Sequence, residues 1–159
     1  MADTKIRARK ATSMLREDHR NVKKLFSSWE KIDDEDKETG KKELFDQIRR
    51  ELSVHAQIEE EIFYPAMKGV DDEDLRSFVM ESYEEHKIVH TLLEELSGLA
   101  PDDEVFEAKM EVLIEAVKHH AEEEEKELFP AFEELPRERQ EDISDQLHRR
   151  KMELLGEVE

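Results

Sequence analysis

Two stretches of the chain combine histidine and carboxylate side chains at the same spacing. Residues 55–66 read HAQIEEEIFYPA and residues 120–131 read HAEEEEKELFPA, and six of the twelve aligned positions are identical. In each copy a histidine is followed four residues later by a glutamate: His55 with Glu59, and His120 with Glu124. Side chains four residues apart lie on the same face of an α-helix, so each pair can address one metal ion. The repeat therefore predicts a duplicated helical hairpin that holds metal.

A second pair of matching motifs precedes the two copies, EDHR before the first and EEHK before the second. The histidine of the second motif, His86, is followed four residues later by His90. The same step from His19, in the first motif, reaches Lys23 instead. The two halves of the chain are therefore related but not equivalent, and the second offers one more imidazole.

Seven of these side chains occupy helical positions at which the pattern calls for an inward-facing apolar residue. They are His19, His55, Glu59, His86, His90, His120 and Glu124. An ionised carboxylate inside a helical bundle is very unfavourable unless it is paired or bound to metal. The neighbouring Glu60 and Glu125 lie off the apolar stripe, so we expect them to be mostly solvated. A metal site is the simplest explanation for so many polar groups facing the interior.

Seven nitrogen and oxygen donors exceed what one ordinary transition-metal ion takes from protein, and they suit two ions that share carboxylates, about 3.5–4 Å apart. Imidazole with carboxylate suits iron, and also zinc or manganese. The duplication predicts unequal ligand sets, which are His86, His90 and His120 for one ion, His19 and His55 for the other, and Glu59 and Glu124 as bridges. If the second ion is iron, it keeps an open position for dioxygen, peroxide or nitric oxide.

The elements that must position these side chains are four amphipathic helices. Apolar residues recur at three- and four-residue steps in four segments, with short breaks rich in Asp, Gly and Pro between them. Short breaks favour antiparallel neighbours, so the predicted fold is all-α, an antiparallel up-down-up-down four-helix bundle with a short C-terminal fifth helix. We expect an N-terminal arm at 1–10, the bundle at 11–135 and the C-terminal helix at 136–159. Pro65 and Pro130 are expected to end or kink their helices.

The composition restricts the classes of partner and chemistry. With 25 Lys and Arg against 44 Asp and Glu, the formal net charge is −19, which argues against binding of nucleic acid or anionic membranes. The absence of cysteine excludes disulfides, thiolate nucleophiles and iron–sulfur clusters. The N-terminus has no apolar stretch typical of a secretory signal, and no run is long enough to span a bilayer, so a cytoplasmic location is expected. The composition does not distinguish a monomer from a dimer.

The series of histidine and glutamate motifs resembles the hemerythrin-like family of histidine–histidine–glutamate (HHE) cation-binding domains, over residues from about 12 to 135. The resemblance implies a non-haem di-iron centre of Fe²⁺ or Fe³⁺ with an oxo or hydroxo bridge, terminal histidines, and two bridging carboxylates. In the invertebrate oxygen carriers of this family the last carboxylate is an aspartate five residues after its histidine. Here that position is Glu125, and we favour Glu124 because the repeat aligns it with Glu59. In this fold the position of Lys23 flanks the open iron, and a cation there is unlike an apolar oxygen-carrier pocket.

Three functions remain open from the sequence. The first is a di-iron protein that binds or senses dioxygen, nitric oxide, peroxide or iron itself. The second is a redox enzyme on the same site, which would be a peroxidase, a nitric-oxide reductase or an iron donor for cluster repair. The third is an acidic interaction module whose histidines are incidental. No catalytic residue is assigned, and a binding role is preferred because no clear general acid is present apart from Lys23 and Tyr83.

Overall fold

The computed structural model describes residues 10–32 and 37–156, except for the side chains of residues 37–39. Within these ranges the chain forms helices and no strands. The helices are α1 (Ala11–Glu30), α2 (Lys37–Ile58), α3 (Tyr64–Lys68), α4 (Glu73–Ser97), α5 (Glu104–Glu123), α6 (Phe129–Glu133) and α7 (Arg137–Leu155), with two π-helical turns, π1 (Glu59–Phe63) and π2 (Glu124–Leu128). Most of the predicted arm at 1–10, and the predicted break at 33–36, lie outside the described residues.

The helices form the expected bundle. The segments α2–π1–α3 and α5–π2–α6 are two continuous rods, and α1 and α4 are the other two, while α7 is the additional C-terminal helix. The carboxylate of Asp72 accepts a hydrogen bond from the backbone N–H of Leu75 and so caps α4, and Asp103 caps α5 in the same way through Val105. The predicted all-α four-helix bundle with a fifth helix is confirmed. Among the described residues, none of the helices has the length and apolar character to cross a bilayer.

Two apolar clusters fill the bundle on either side of a polar layer. The Trp29 cluster includes Val22, Phe26, Trp29, Phe45, Ile48, Leu52, Leu93, Leu96, Phe106 and Met110. The Tyr64 cluster includes Leu15, Ile58, Phe63, Tyr64, Met67, Val79, Leu128, Phe129, Phe132, Ile143 and Leu147. Each of the long rods passes from one cluster to the other. On α1, for example, His19 lies between Leu15 of the Tyr64 cluster and Val22 of the Trp29 cluster.

The two prolines widen their helices instead of ending them. Proline has no N–H to donate, so a regular α-helical ladder cannot continue through Pro65 or Pro130. In π1 the N–H of Tyr64 reaches back five residues to the carbonyl of Glu59, and in π2 the N–H of Phe129 reaches Glu124 in the same way. Such π turns inside α-helices are often found at functional sites. The helix then continues, rotated relative to the α-helical pattern.

Helix α7 packs on the half of the bundle that contains α1 and π1. Ile143 and Leu147 are buried in the Tyr64 cluster, and the Ser144 hydroxyl accepts a 2.8 Å hydrogen bond from the N–H of Ala11. Near the other end of the helix, Arg150 donates to Glu61 at 2.7 Å and Lys151 to Asp18 at 2.7 Å. These contacts combine apolar burial with polar interactions along the whole length of α7.

The apolar contact of α7 can be tested by truncating one side chain. Leu147 is completely buried, so Leu147→Ala is expected to destabilise the protein by about 2–5 kcal/mol through lost burial and the cavity left behind. Asp145→Ala, on the exposed side of the same helix, is the control and should change stability by less than about 0.5 kcal/mol. Urea unfolding measures both. Equal stabilities for the two variants would contradict the packing described.

Candidate metal centre

Six buried side chains meet in the polar layer and form two overlapping groups. The first group consists of His19, His55, Glu59 and Glu124, and the second of Glu59, His86 and His120. Within each group every residue offers one nitrogen or oxygen atom, and these atoms all lie within 4.8 Å of one another. Both glutamates are completely buried. All four rods contribute, so the groups exist only when the bundle is assembled.

Within the described part of the chain, four buried polar atoms of the first group have no hydrogen-bond partner. They are Nε2 of His19, Nε2 of His55, Oε2 of Glu59 and Oε1 of Glu124. His19 Nε2 lies 3.2 Å from Glu124 Oε1, and His55 Nε2 lies 3.3 Å from Glu59 Oε1, but neither pair is oriented as a hydrogen bond. Each unsatisfied group costs about 1–3 kcal/mol. One atom from each member of the group is thus available to a cation, and this donor set suits one.

The second group encloses a phenol oxygen that the sequence interpretation missed. The Tyr64 hydroxyl lies 2.5 Å from Glu124 Oε2 and 3.1 Å from Glu59 Oε1. It also lies 3.2 Å from His86 Nε2 and 3.0 Å from His120 Nε2. An oxygen donor therefore stands among the nitrogen atoms of this group.

The π turn explains why α-helical spacing did not identify Tyr64. On an α-helix a residue five positions after Glu59 points about 140° away from it. The wider turn π1 removes part of that rotation and directs Tyr64 inward. The proline that directly follows it, Pro65, was the available signal, since it predicted a local departure from α-helical geometry.

The two groups differ because Tyr64 and its repeat counterpart differ. The corresponding residue of the second copy is Phe129, whose ring stacks on His19 with centroids 5.8 Å apart and an angle of 5° between the planes. The first group therefore receives an apolar ring where the second receives a hydroxyl. The sequence predicted unequal halves, but it assigned the difference to His90 and Lys23.

His90 lies outside both groups. Its side chain is 71% exposed, and its Nε2 is 2.9 Å from a carboxylate oxygen of Glu94 on the same helix. The next inward-facing residue of α4 after His86 is Val89, three residues further on, and it packs against the Trp29 cluster. The expectation that His90 faces inward assumed a step of four residues, whereas the helix uses a step of three here. His90 lines the outer part of the cavity instead.

Each of the four buried histidines turns its Nδ1 atom to a carboxylate of the surrounding layer. The pairs are His55 with Asp18 at 2.9 Å, His120 with Glu85 at 2.5 Å, His86 with Glu60 at 2.7 Å, and His19 with Glu125 at 2.6 Å. Such a carboxylate fixes the ring orientation, so that Nε2 points at the centre. Glu60 and Glu125 are therefore not simply solvated, and Glu125 contacts a histidine from outside while Glu124 lies in the interior.

The internal duplication extends to these pairs. The acid just before the first histidine of each half, Asp18 or Glu85, binds the second histidine of the same half. The acid just after the buried glutamate, Glu60 or Glu125, binds the first histidine of the opposite half. These contacts explain the repeated motifs EDHR and EEHK, because the acid and the histidine of each motif both form histidine–carboxylate pairs in the polar layer.

Burial and neighbouring charges shift the pKa values in this layer strongly. Burial alone lowers the pKa of His120, but hydrogen bonds to Glu124 and Glu85 outweigh it and raise the pKa to about 10. The pKa of His55 is also raised well above its usual range, since Glu59 and Asp18 overcome the effect of burial. For Glu124, burial raises the pKa, but His120 and His19 hold it well below its ordinary value. In the metal-free protein, imidazole protons therefore balance the buried carboxylates.

A cavity of about 720 Å³ opens onto the buried histidines. Its walls include apolar side chains from all four rods, namely Val22, Leu52, Val89, Leu93, Val117 and Ala121. Two lysines also line it, Lys23 on α1 and Lys87 on α4. Lys23 is half-buried, whereas Lys87 is exposed and pairs with Glu84. The cavity offers a small molecule access to the polar layer.

The raised pKa of His120 predicts how the stability of the metal-free protein depends on pH. Because the folded protein holds this proton more tightly than the unfolded chain, its stabilisation is full below the unfolded pKa of 6.5 and is lost as pH rises through about 10. Urea unfolding of chelator-treated protein across this window should therefore show stability falling with pH. The His120→Gln variant should show a smaller decrease. A stability that rises with pH in the window would contradict the charge balance described.

Comparisons with known proteins identify the family and the fold of this chain. The sequence profile of the family described as "Hemerythrin HHE cation binding domain" matches residues 10–132. A DNA nickase of Nostoc sp. is 31% identical over 119 residues, covering 75% of this chain but only 32% of the nickase, so this chain spans about a third of that relative. The crystal structure of a hemerythrin HHE cation binding domain-containing protein from Mycobacterium kansasii shares the fold, with a TM-score of 0.76 at 22% identity, over 93% of this chain and 88% of that one. With the family profile covering most of its length, the chain belongs to the hemerythrin HHE cation-binding family.

Proposed function

We propose that this chain is a non-haem di-iron protein of the hemerythrin type that binds or senses a small ligand at its less coordinated iron. The observation that carries the proposal is a set of four buried atoms, one from each residue of the first group, that form no hydrogen bond with any described residue. Their number and chemistry fit a cation. The family to which the chain belongs is defined by cation binding, which supports the same conclusion.

The residues divide naturally between two ions. His19 and His55 would hold the first ion, and His86, His120 and the Tyr64 oxygen the second, with Glu59 and Glu124 shared. Bound iron would supply a coordination position for the ligand and a reversible change between the ferrous and ferric states. His90 was predicted as a ligand from its spacing, and its exposed position favours Tyr64 in its place.

The first position is the better candidate for ligand binding. It has two histidines, and the ring of Phe129 stands where the other half provides an oxygen. The cavity reaches the histidines of both positions, and its walls combine apolar side chains with charged ones. The ammonium group of Lys23, on the same wall, favours a ligand that carries or gains negative charge. Dioxygen, nitric oxide and peroxide fit these limits, with sensing favoured over simple oxygen transport.

A redox enzyme on the same centre is the alternative, and the nearby Tyr64 hydroxyl and Lys23 ammonium favour it as possible proton carriers. Turnover of peroxide or nitric oxide above the rate of free iron would distinguish a redox enzyme from a protein that only binds its ligand stoichiometrically.

The name of the Nostoc relative raises nicking of DNA as a third activity. The net charge of −19 gives no support for contact with a phosphate backbone, so we propose no nucleic-acid partner.

The metal content of purified variants tests the ligand assignment. Anaerobically loaded wild-type protein is expected to hold two irons per chain. His55→Ala and Glu59→Ala each remove a donor from a buried site and should lower the iron content to one per chain or less. His90→Ala is the matched control, since it removes an exposed imidazole, and it should keep both irons. Full iron content in the first two variants, or loss in the control, would overturn the assignment.

The role of Tyr64 has an optical test. A phenolate bound to ferric iron gives a visible charge-transfer absorption, so the oxidised wild-type protein should show such a band. Tyr64→Phe should remove the band and retain at least one iron, because the histidines and glutamates remain. Tyr83→Phe is the control, since the Tyr83 hydroxyl donates to the backbone carbonyl of Glu60 and not to a candidate ligand side chain. A visible spectrum of oxidised Tyr64→Phe identical to that of the wild type would show that Tyr64 is not a ligand.

A further inference from the structure

Helix α7 reaches the candidate metal centre through a chain of two polar contacts. The Nζ atom of Lys151 lies 2.7 Å from Oδ1 of Asp18. The other oxygen of that carboxylate, Oδ2, lies 2.9 Å from Nδ1 of His55, whose Nε2 faces the first group. Asp18 is only 1% exposed, so both of its oxygens are directed by these contacts.

The other half of the protein has no equivalent of this lysine. By the internal duplication, Glu85 corresponds to Asp18, and it binds His120 in the same way. The Glu85 side chain is 40% exposed, and in the described part of the chain no lysine or arginine pairs with it. Solvent therefore stabilises the charge of Glu85, whereas Lys151 stabilises that of Asp18. The fifth helix makes the surroundings of the two halves different.

A buried carboxylate without a cation is strongly unfavourable, and it would turn toward solvent to relieve the cost. Lys151 prevents this at Asp18, because Lys151 holds Oδ1 while His55 holds Oδ2. A carboxylate held at both oxygens fixes the orientation of the His55 ring, so that Nε2 faces the first group.

We propose that Lys151 is a positioning residue for the first metal position, the one formed by His19 and His55, and acts there through Asp18. The inference rests on the proposed function, since it assumes that this position holds a metal ion. It assigns a role to α7, which lies beyond residues 10–132, the range that the family profile matches. The second position, with His86, His120 and Tyr64, does not depend on α7 in this way.

The test compares Lys151→Met with Arg150→Met. The two residues are adjacent on α7, and each forms one ion pair with the bundle. Arg150 pairs with Glu61, whose other hydrogen bond among the described residues is to Gln57 and not to a candidate ligand. Each variant is loaded with Fe(II) alone under anaerobic conditions and then oxidised. The readouts are iron per chain, the visible band attributed to Tyr64, and the unfolding midpoint in urea.

Lys151→Met is expected to fall from two irons per chain to about one while keeping the Tyr64 band. Arg150→Met should keep both irons, and Lys151→Arg should restore the second iron because it restores the cation. Asp18→Asn, a second route to the same defect, should lose the same iron. The double variant Asp18→Asn/Lys151→Met should lose no more than either single variant.

Several results would overturn the inference. Two irons in Lys151→Met would show that the lysine is not needed, and equal loss in Arg150→Met would show that only the docking of α7 matters. Loss of the Tyr64 band together with the iron would show that the effect is not confined to the first position. A wild-type protein that binds no iron would overturn the proposed function, and this inference with it.

Discussion

The burial of two carboxylates at the centre of a helical bundle is the constraint on which the rest of the structure depends. Glu59 and Glu124 have no solvent contact, and their charges must be balanced by neighbouring groups. Four imidazoles surround them, and each imidazole is held from behind by a further acid. In the metal-free protein the raised pKa values of His55, His86 and His120 favour protons on these histidines, and metal ions would displace those protons on binding. The apolar clusters pack on either side of this layer, and the low polarity around its buried groups strengthens each electrostatic interaction between them.

The duplication supplies a nearly symmetric centre, and a small number of substitutions make it asymmetric. The prolines of the two copies produce the same π turn, so the residue just before each proline is directed at the centre. In one half this residue is Tyr64, and in the other it is Phe129. A change of one hydroxyl thus gives the two halves different donor sets. Helix α7 adds a second difference, because it contacts Asp18 and leaves Glu85 near solvent. Unequal positions suit a centre in which one ion is anchored and the other is available to a ligand.

Much of this architecture could be predicted from the sequence. The helical periodicity, the short breaks rich in Asp, Gly and Pro, and the repeated histidine–glutamate motif indicated four antiparallel helices and an inward-facing polar layer. Six of the seven predicted side chains meet in that layer. The sequence interpretation placed His90 inward because a helix can continue its inward face after His86 with a step of either three or four residues. The first step leads to Val89 and the second to His90, and both are plausible residues for the interior. It missed Tyr64 because α-helical spacing does not hold across a π turn. It also treated Glu60 and Glu125 as solvated, since a contact between different helices leaves no trace in the periodicity of one helix.

Two cations are proposed to occupy the two overlapping groups. Anomalous diffraction at the iron absorption edge, from crystals of the anaerobically loaded protein, tests it most directly. The predicted result is two iron peaks, one among His19, His55, Glu59 and Glu124, and the other among Glu59, His86, His120 and Tyr64. No peak in the polar layer, or iron bound only at the exposed His90, would contradict the claim.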